Sequence, residues 1–510
     1  MFDGPSHLRS VLVLPRAAKR PLRAALALSF AAWALAGCGG SDSESAPVPP
    51  PAPPAPTLAA PANFTLQDFA DFRWSATPSA TRYELHADPD GAGPQPEAKV
   101  EDFNPGTGTG FQYSQITPQG FAGWYGRNIA AAPAALFNSS YRLRACDAQG
   151  CGAFTQSVSP DVAAALSHEF ASGRAPLKTS GGLDGGPKLS RDGLTVAFPG
   201  ANGVYVLTRA TSTQPWQVQA QVISGNRDVA QRIALSPDGG TLAVQVNEPS
   251  AGNPNILQGV VYVHQRSANA WTQQAVLKAP SPPPACAQGC RASLGDLLAL
   301  SSDGRLLAAS VNYSTSAGTD AFVGSAVATY THDGATWTQQ QVLQTSGPVV
   351  SSLALSGDGS TLAVNEGSLD TLRGPLTSTT PYVRVFSQQG GSWTQQARIP
   401  AGIASTTDVS GSQYSAMALS GDGSTLAVHA VNVPGHPTPE LDVRPADLSC
   451  GAMAENNWYI ALYARNGATW QRQAAISRGL AGKWAIAPDG SGLFYGNALF
   501  ARSGSAWTCP

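Results

Sequence analysis

Short apolar runs separated by polar turns fill most of this 510-residue chain. In its clearest form the pattern is an apolar triplet, a turn centred on Asp-Gly, and a second apolar run. Such runs around a turn predict β-hairpins, because glycine accepts a positive φ and Asp hydrogen-bonds its own backbone. Three copies read Ile233-Ala-Leu-Ser-Pro-Asp-Gly-Gly-Thr-Leu-Ala-Val244, Leu353-Ala-Leu-Ser-Gly-Asp-Gly-Ser-Thr-Leu-Ala-Val364 and Met417-Ala-Leu-Ser-Gly-Asp-Gly-Ser-Thr-Leu-Ala-Val428.

Six units carry this pattern, and each adds an aromatic strand and then a tryptophan. The aspartates of the turns are Asp192, Asp238, Asp303, Asp358, Asp422 and Asp489. The tryptophans are Trp216, Trp271, Trp337, Trp393, Trp470 and Trp507. A repeat of roughly 45 to 65 residues with four strands predicts a β-propeller, so we expect an all-β chain with one blade per unit.

The unit around Asp238 shows where variable segments fall. Its four predicted strands are residues 232–236, 241–246, 260–264 and 271–278. Variable stretches lie between the second and third strands, and we expect them all to emerge on one face. Function is more readily placed in these unequal insertions than in the repeat, and they are residues 247–259, 309–323, 365–381 and 429–456.

Closure of the ring is predicted from the two ends of the repeat region, residues 166–510. The last unit stops at Trp507-Thr-Cys-Pro510 and has little of a fourth strand. Arg174-Ala-Pro-Leu-Lys178 aligns with Gln274-Ala-Val-Leu-Lys278, so we expect this early segment to complete the last blade. Six blades are favoured, and seven is the alternative if residues 163–171 add strands.

The repeat resembles two known types of propeller repeat. The aromatic strand, short turn and Trp-Thr-Gln-Gln at Trp271, Trp337 and Trp393 resemble the bacterial FG-GAP-like repeat. The Leu-Ser-Pro-Asp-Gly sequence that ends at Gly239 resembles repeats in the propeller of the periplasmic protein of the Tol system. Both resemblances imply a propeller, and they leave function open because propellers host many unrelated activities.

Residues 62–160 lack the Asp-Gly repeat and alternate like strands. They resemble a fibronectin type III domain, with Trp74 on its second strand, Tyr83 on its third and Tyr141 on its sixth. The aromatic stretch 110–133 is longer than that family expects. It could form a binding loop, or it packs onto its own sheet.

Six cysteines besides Cys38 predict disulfide bonds, since the count is even and the chain carries an export signal. Local spacing suggests Cys146–Cys151 and Cys286–Cys290, which leaves Cys450–Cys509. The last pair would tie an insertion of the fifth unit to the last strand. A metal site is less favoured, because the Cys286 to Cys290 spacing has no nearby histidine pair.

The first 37 residues read as a signal peptide with a basic segment and an apolar stretch, 24–35. Leu35-Ala-Gly-Cys38 resembles the lipobox of bacterial lipoproteins, which implies cleavage before Cys38 and its acylation, as with palmitate. Gly39 after the cysteine implies the outer membrane, with the body facing either periplasm or medium. An ordinary secretory peptide is the alternative. Residues 38–61 then form a Pro/Ala-rich stalk.

Charge limits the class of partner. Removal of residues 1–37 takes away five basic residues and one acid, which leaves 26 basic against 32 acidic residues, or −6. This balance argues against nucleic acid and anionic surfaces as partners. We therefore expect the membrane to be reached through lipid at Cys38, and a protein or glycan to be the binding partner.

No sequence motif predicts catalysis, a cofactor or a metal ion. Each repeat turn has one acid, whereas Ca²⁺ prefers six to eight oxygens and several carboxylates, so we interpret the turn aspartates as turn caps. The tryptophans recur in register, so we interpret them as core residues between blades. The seven histidines show no metal-binding or catalytic spacing.

Three functions remain open from the sequence. The main hypothesis is a non-catalytic, lipid-anchored envelope protein that binds a protein or glycan through propeller loops. The alternatives are a propeller enzyme acting on polysaccharide or lactone, and a structural scaffold of an envelope complex. Clustered acids, or an acid beside a histidine, at the mouth of the central channel would favour the enzyme.

Overall fold

The computed structural model shows a chain built almost wholly of strands, within one compact unit, Pro56–Pro510. No helix among the described residues is long and apolar enough to cross a membrane. The structure describes residues 58–66, 72–91, 96–103, 135–161, 188–200, 203–223, 232–250, 253–268, 270–282, 290–315, 322–345, 349–367, 382–400, 417–431, 448–449, 458–476, 484–495 and 498–509.

The first part is a two-sheet sandwich. Its elements are β1 (Thr65–Leu66), β2 (Phe72–Arg73), β3 (Arg82–Asp88), β4 (Ala98–Phe103), the single turn of helix α1 (Ala135–Asn138), β5 (Ser140–Cys146) and β6 (Cys151–Phe154). One sheet pairs β1 with β2, and the other has the order β4-β3-β5-β6. Alternate residues of β3 and β5 point inward, so Tyr83 and Tyr141 are buried against Trp74 and Phe72 from the other side.

Six four-stranded antiparallel sheets follow in the described part of the chain, and we number them blades 1 to 6. Blade 1 has β7 (Lys188–Leu189), β8 (Thr195–Gly200), β9 (Gly203–Thr208) and β10 (Gln217–Val222). Blade 2 has β11 (Ile233–Leu235), β12 (Thr241–Ser250), β13 (Asn253–Ser267) and β14 (Ala270–Leu277). Blade 3 has β15 (Cys290–Leu300), β16 (Leu306–Thr315), β17 (Phe322–His332) and β18 (Trp337–Gln344).

The last three blades repeat the same order. Blade 4 has β19 (Val349–Leu355), β20 (Thr361–Gly367), β21 (Tyr382–Gln389) and β22 (Ser392–Pro400). Blade 5 has β23 (Met417–Leu419), β24 (Thr425–Val431), β25 (Trp458–Asn466) and β26 (Thr469–Ile476). Blade 6 has β27 (Trp484–Ile486), β28 (Gly492–Tyr495), β29 (Ala498–Ser503) and β30 (Ala506–Thr508).

Successive blades pack side by side as in a propeller. The first strand of each blade contacts the first strand of the next, from β7 through to β27. Between each pair of neighbours lies a hydrophobic cluster that draws side chains from both blades. The predicted all-β propeller is thus confirmed. The number of blades stays a prediction, because the closing segment 174–178 and residues 163–171 lie outside the described residues.

Two of the predicted insertions are not loops through most of their length. Paired strands run from Thr241 to Ser250 and back from Asn253, so residues 247–259 continue the hairpin of blade 2. In blade 3 the pairing likewise extends to Ser314 and Phe322, within the insertion 309–323. Prolines at 249 and 254 lie within this hairpin, and prolines in sheets are confined to strand ends, bulges and edges, which a two-stranded ribbon offers.

Each Asp-Gly turn is closed by its own side chains. In blade 2 the Ser236 hydroxyl donates to Asp238 Oδ1 at 2.5 Å, and the amide of Gly240 donates to the same oxygen at 2.9 Å. The amide of Thr241 in turn donates to Ser236 Oγ at 2.8 Å. All six aspartates accept a hydrogen bond from the backbone amide two residues on.

The turns also join neighbouring blades. Backbone hydrogen bonds link turn to turn along the whole row, as between the Asp358 amide and the Gly421 carbonyl at 2.9 Å. Each turn glycine after the first has a positive φ and lies against the blade before it. A Cβ on Gly304 would meet Thr241 Oγ1 at 2.2 Å, so the glycine is required for close approach as well as for φ.

We therefore expect Gly304→Ala to destabilise the protein more than Gly467→Ala. Both glycines have a positive φ, but a Cβ on Gly467 would meet nothing within 4 Å. The positive φ strains both alanine variants. Overpacking against Thr241 should add about 1–3 kcal/mol of destabilisation in Gly304→Ala alone. Urea unfolding followed by circular dichroism measures this difference. Equal losses in the two variants would contradict a tight contact between blades.

Candidate functional site

A β-ribbon projects from blade 2 at the end where second strands connect to third strands. The last backbone hydrogen bond from β12 to the described part of the first-strand segment joins the Gln245 amide to the Arg232 carbonyl, at 3.0 Å, and the fourth strand pairs with β13 only from Val261. Residues 246–250 and 253–260 therefore form a two-stranded ribbon beyond the four-stranded sheet. We call these residues the blade 2 ribbon. Its β13 edge has no fourth-strand partner in the described part of the chain.

The blade 2 ribbon is held against the first strand of blade 3. The amide of Gly259 donates to Ser293 Oγ at 2.9 Å. A Cβ on Gly259 would lie 2.5 Å from that oxygen, and one on Gly295 would lie 2.6 Å from Val261 Cγ2. Two glycines thus let the neighbouring backbones approach, and the ribbon has a fixed orientation.

A bulge in β15 places an acid at the same end. The register with β16 shifts between Leu294 and Leu298, and Gly295 in the bulge has a φ of 97°. This turns Asp296 toward Arg232 of blade 2, with which it forms an ion pair, and Asn312 donates a hydrogen bond to its other oxygen. Bulges of this kind re-aim a side chain.

Two acids on second strands at this end also have side-chain hydrogen-bond donors. Glu366 in blade 4 is buried and pairs with Arg384, which also donates to the Gln344 carbonyl of blade 3 at 2.6 Å. Glu248 in the blade 2 ribbon accepts a hydrogen bond from the Tyr262 hydroxyl. These three carboxylates lie on three different blades with a fixed donor each, which makes them structural charges rather than free bases.

Two titratable side chains on third strands are deeply buried. Burial lowers the pKa of His264 to about 4, so its imidazole is neutral near pH 7. Burial also raises the pKa of Tyr330 far above its usual range, and its hydroxyl donates to the Lys278 carbonyl at 2.9 Å. Neither group changes charge near neutral pH.

The exposed extensions carry aliphatic side chains. Leu257 on the blade 2 ribbon is 46% exposed, and Val323 at the corresponding end of β17 is 48% exposed. Each hairpin that projects beyond blades 2 and 3 therefore presents an aliphatic side chain on an ordered strand. Such positions suit contact with a partner, since they are apolar, accessible and fixed in place.

The outer face of the sandwich holds a network of charges. Arg144 donates two hydrogen bonds to Glu84, at 2.8 and 2.6 Å, and Arg82 pairs with the other carboxylate oxygen. Burial alone would raise the pKa of Glu84, but these hydrogen bonds and positive charges outweigh it and hold the pKa at about 2. The guanidinium groups of Arg142 and Arg144 lie over the Phe154 ring.

One group of metal-ligand atoms occurs in the described residues, and it is accounted for. Glu84, Cys146 and Cys151 lie within 4.8 Å of one another. The two cysteines form a disulfide with an S–S distance of 2.05 Å, so their sulfurs are not thiolate ligands. The predicted Cys146–Cys151 bond is confirmed, and it joins β5 to β6.

The other predicted cysteines are described only in part. Cys290 and Cys509 are both disulfide-bonded, while Cys286 and Cys450 lie outside the described residues. Cys509 Sγ lies 3.2 Å from the carbonyl oxygen of Ser449, the residue before Cys450. The two pairings stay predictions. Cys38, the stalk and the aromatic stretch 110–133 also lie outside the described residues.

Each of the six repeat tryptophans belongs to a different hydrophobic cluster. Five of them, Trp271, Trp337, Trp393, Trp470 and Trp507, share that cluster with the blade before their own. Trp216 in blade 1 shares its cluster with the sandwich instead. The side chains therefore fill spaces between neighbours, and three of them are nearly fully buried.

Glutamines after the tryptophan have a role that sequence reasoning missed. Gln219 accepts the indole N–H of Trp271 at 2.8 Å, and Gln340 accepts that of Trp393 at 3.0 Å. Both glutamines stand three residues after the tryptophan of the preceding blade. The repeated Trp-x-x-Gln spacing was the available signal, since a buried indole needs an acceptor.

The chain matches no protein-family model and no sequence relative among curated proteins. It is similar to the periplasmic gluconolactonase PpgL of Pseudomonas aeruginosa, at 17% identity and a TM-score of 0.36, over 72% of this chain and 89% of that one. It is also similar to TolB of Acinetobacter baumannii, at 12% identity and a TM-score of 0.29, over 67% of this chain and 60% of that one. A third similar structure is Sqt1 of Saccharomyces cerevisiae, at 12% identity and a TM-score of 0.35, over 72% of this chain and 79% of that one. Similarities at this level leave the activity open.

We expect Glu84→Gln to flatten the acid side of the stability profile. The pKa of Glu84 is about 2 in the folded protein and about 4.5 in the unfolded chain. Its contribution is therefore present above pH 5 and is lost as the pH falls toward 2. Urea unfolding at a series of pH values measures the loss in both proteins. Parallel profiles for parent and variant would contradict this assignment.

Proposed function

We propose that this protein is a non-catalytic, lipid-anchored protein of the cell envelope. Its propeller binds a protein partner through the hairpins that project from blades 2 and 3. The observation that carries this proposal is the strand pairing in the described parts of both insertions, residues 247–250, 253–259, 309–315 and 322–323, which holds exposed aliphatic side chains in place.

The β13 edge of the blade 2 ribbon favours a protein over a glycan. Residues 253–258 of β13 have no fourth-strand partner in the described part of the chain, whereas the Gly259 amide beyond them is bound to Ser293 Oγ of blade 3. An extended peptide can add a strand to such an edge through backbone hydrogen bonds, with side chains such as Leu257 giving specificity. Pro254 limits how far along the edge such pairing extends.

The carboxylates at this end support binding more than catalysis. Asp296, Glu366 and Glu248 each have a side-chain donor, and no two of them belong to the same blade. General acid–base work needs a carboxylate whose proton can be exchanged with a substrate. An acid held by an ion pair serves better as a fixed element of a surface.

The remaining parts of the proposal concern the sandwich and the anchor. The strand order β4-β3-β5-β6 beside the pair β1–β2 supports a fibronectin type III-like domain. The lipobox at Leu35 to Cys38 supports an outer-membrane lipoprotein, with the proline-rich stalk holding the folded body away from the bilayer. Two or more acyl chains anchor stably, whereas a single chain is marginal.

Photo-crosslinking in cells tests the binding surface. A crosslinking amino acid at position 257 or 323 should capture the same protein, whereas one at position 218 should not. Val218 is a matched control, because it is 44% exposed but lies on the outer strand of blade 1. Leu257→Asp should then reduce capture from position 323, and Val323→Asp should reduce capture from position 257. Each loss should be at least about ten-fold, because a charge enters an apolar contact.

Two outcomes would contradict a protein partner at this surface. Capture of one protein equally well from positions 218, 257 and 323 would show contact without specificity. Failure to capture any protein, together with glycan binding that Leu257→Asp abolishes, would assign the surface to a glycan.

Metabolic labelling tests the anchor. A palmitate analogue should label the full-length protein, and Cys38→Ala should abolish both the label and membrane fractionation, because Cys38 is the acylated residue that the lipobox implies. Equal labelling of the parent and Cys38→Ala would overturn the proposal of lipidation at this residue.

A further inference from the structure

We propose that the sandwich serves as the missing neighbour of blade 1. On this view it occupies the face of blade 1 that, in each later blade, is covered by the blade before it. The two domains are then one structural unit rather than separate modules joined by a linker. The proposal is independent of the partner proposed above.

The first evidence is a pair of hydrogen bonds that occurs twice among the described residues. In blade 4 the backbone N–H of Trp393 donates to Gln341 Oε1 at 2.8 Å, and Gln341 Nε2 donates to the Trp393 carbonyl at 3.3 Å. Gln341 belongs to β18, the outer strand of blade 3. Its amide thus clamps the backbone of the next tryptophan from the preceding blade.

The same clamp holds Trp216, but its amide comes from the sandwich. The backbone N–H of Trp216 donates to Asn138 Oδ1 at 2.6 Å, and Asn138 Nδ2 donates to the Trp216 carbonyl at 2.7 Å. Asn138 is the last residue of α1, and Ser139 alone separates it from β5. The sandwich therefore makes on blade 1 the contact that blade 3 makes on blade 4.

The second evidence is the packing around this clamp. Phe137 contacts Phe198 of β8 and Trp216 itself, with ring centroids 5.2 and 5.9 Å apart. Phe137 is 4% exposed and Trp216 is 3% exposed, so this contact is a closed interior. One continuous cluster runs from the sandwich core at Tyr141 to Leu207 on blade 1.

The third evidence comes from the faces of blade 1. Val196, Phe198 and Leu207 join the cluster shared with the sandwich, whereas Ala197 and Val206 join the cluster shared with blade 2. In blade 2 the same alternation divides its residues between blades 1 and 3. The sandwich thus lies where the succession of clusters requires a preceding blade.

The first Asp-Gly turn is consistent with this arrangement. A Cβ on Gly193 would meet only Arg209 of its own blade, at 3.7 Å. In every later turn the nearest atoms to the corresponding Cβ lie on the preceding blade. The sandwich replaces the outer packing of a preceding blade on blade 1, and it does so without supplying a repeat turn.

Hydrogen exchange of the full mature chain, followed by mass spectrometry, tests the proposal with a matched pair of variants. Asn138→Ala should speed exchange about ten-fold in peptides from β10 and leave peptides from β22 unchanged, because it unpairs a buried backbone. Gln341→Ala should do the reverse: it should speed exchange in peptides from β22 and leave exchange in peptides from β10 unchanged. The two variants control for each other.

The interpretation does not depend on one substitution. If Asn138→Ala fails to fold, Asn138→Asp keeps the acceptor for the Trp216 N–H and loses only the donor, and it should give the same local change to a smaller extent. The proposal is overturned if a folded Asn138 variant exchanges β10 at the wild-type rate while Gln341→Ala speeds exchange in β22. That result would show that the sandwich is no neighbour of blade 1.

Discussion

The contact of each blade with the element before it is the constraint on which this structure depends. A blade alone is a four-stranded sheet with two apolar faces, and it cannot bury both. The repeat meets this need twice. The Asp-Gly turn places a glycine against the first residue of the second strand of the preceding blade, a threonine in four cases and Leu306 in the fifth. The tryptophan fills the space between the two outer strands. Both contacts are made with the preceding blade, so the first blade needs another structural element to cover that face.

Much of the fold follows from the spacing of the repeat. The period, the turn chemistry and the register of tryptophans predict the sheets, and the structure places a closed turn at each of the six repeat Asp-Gly pairs. The glutamine acceptors could also have been read from the Trp-x-x-Gln spacing. The bulge at Gly295 and the ion pair between Asp296 and Arg232 could not, because their partners come together only when two blades pack.

The insertions show where sequence reasoning fails for a physical reason. Residues 247–259 were expected only as a variable insertion between two strands, but their described part pairs as a two-stranded ribbon, whose edges tolerate proline. Hydrophobic periodicity in the sequence cannot reveal such a ribbon, because its side chains do not pack into a hydrophobic core. The charge network around Glu84 is hidden in the same way, because Lys99 and Arg144 reach this residue of β3 from the two neighbouring strands. Function was expected outside the repeat, and the projecting ribbons are outside it.

The most direct test of backward packing is native-state proteolysis of the unmodified mature protein across a urea series. Peptides from the sandwich core at β5 and from β8 and β9 of blade 1 are mapped by mass spectrometry. If the sandwich is the neighbour of blade 1, the two regions share one cluster and become cleavable at the same urea concentration. Cleavage of the sandwich at a lower concentration, with blade 1 still resistant, would contradict the account.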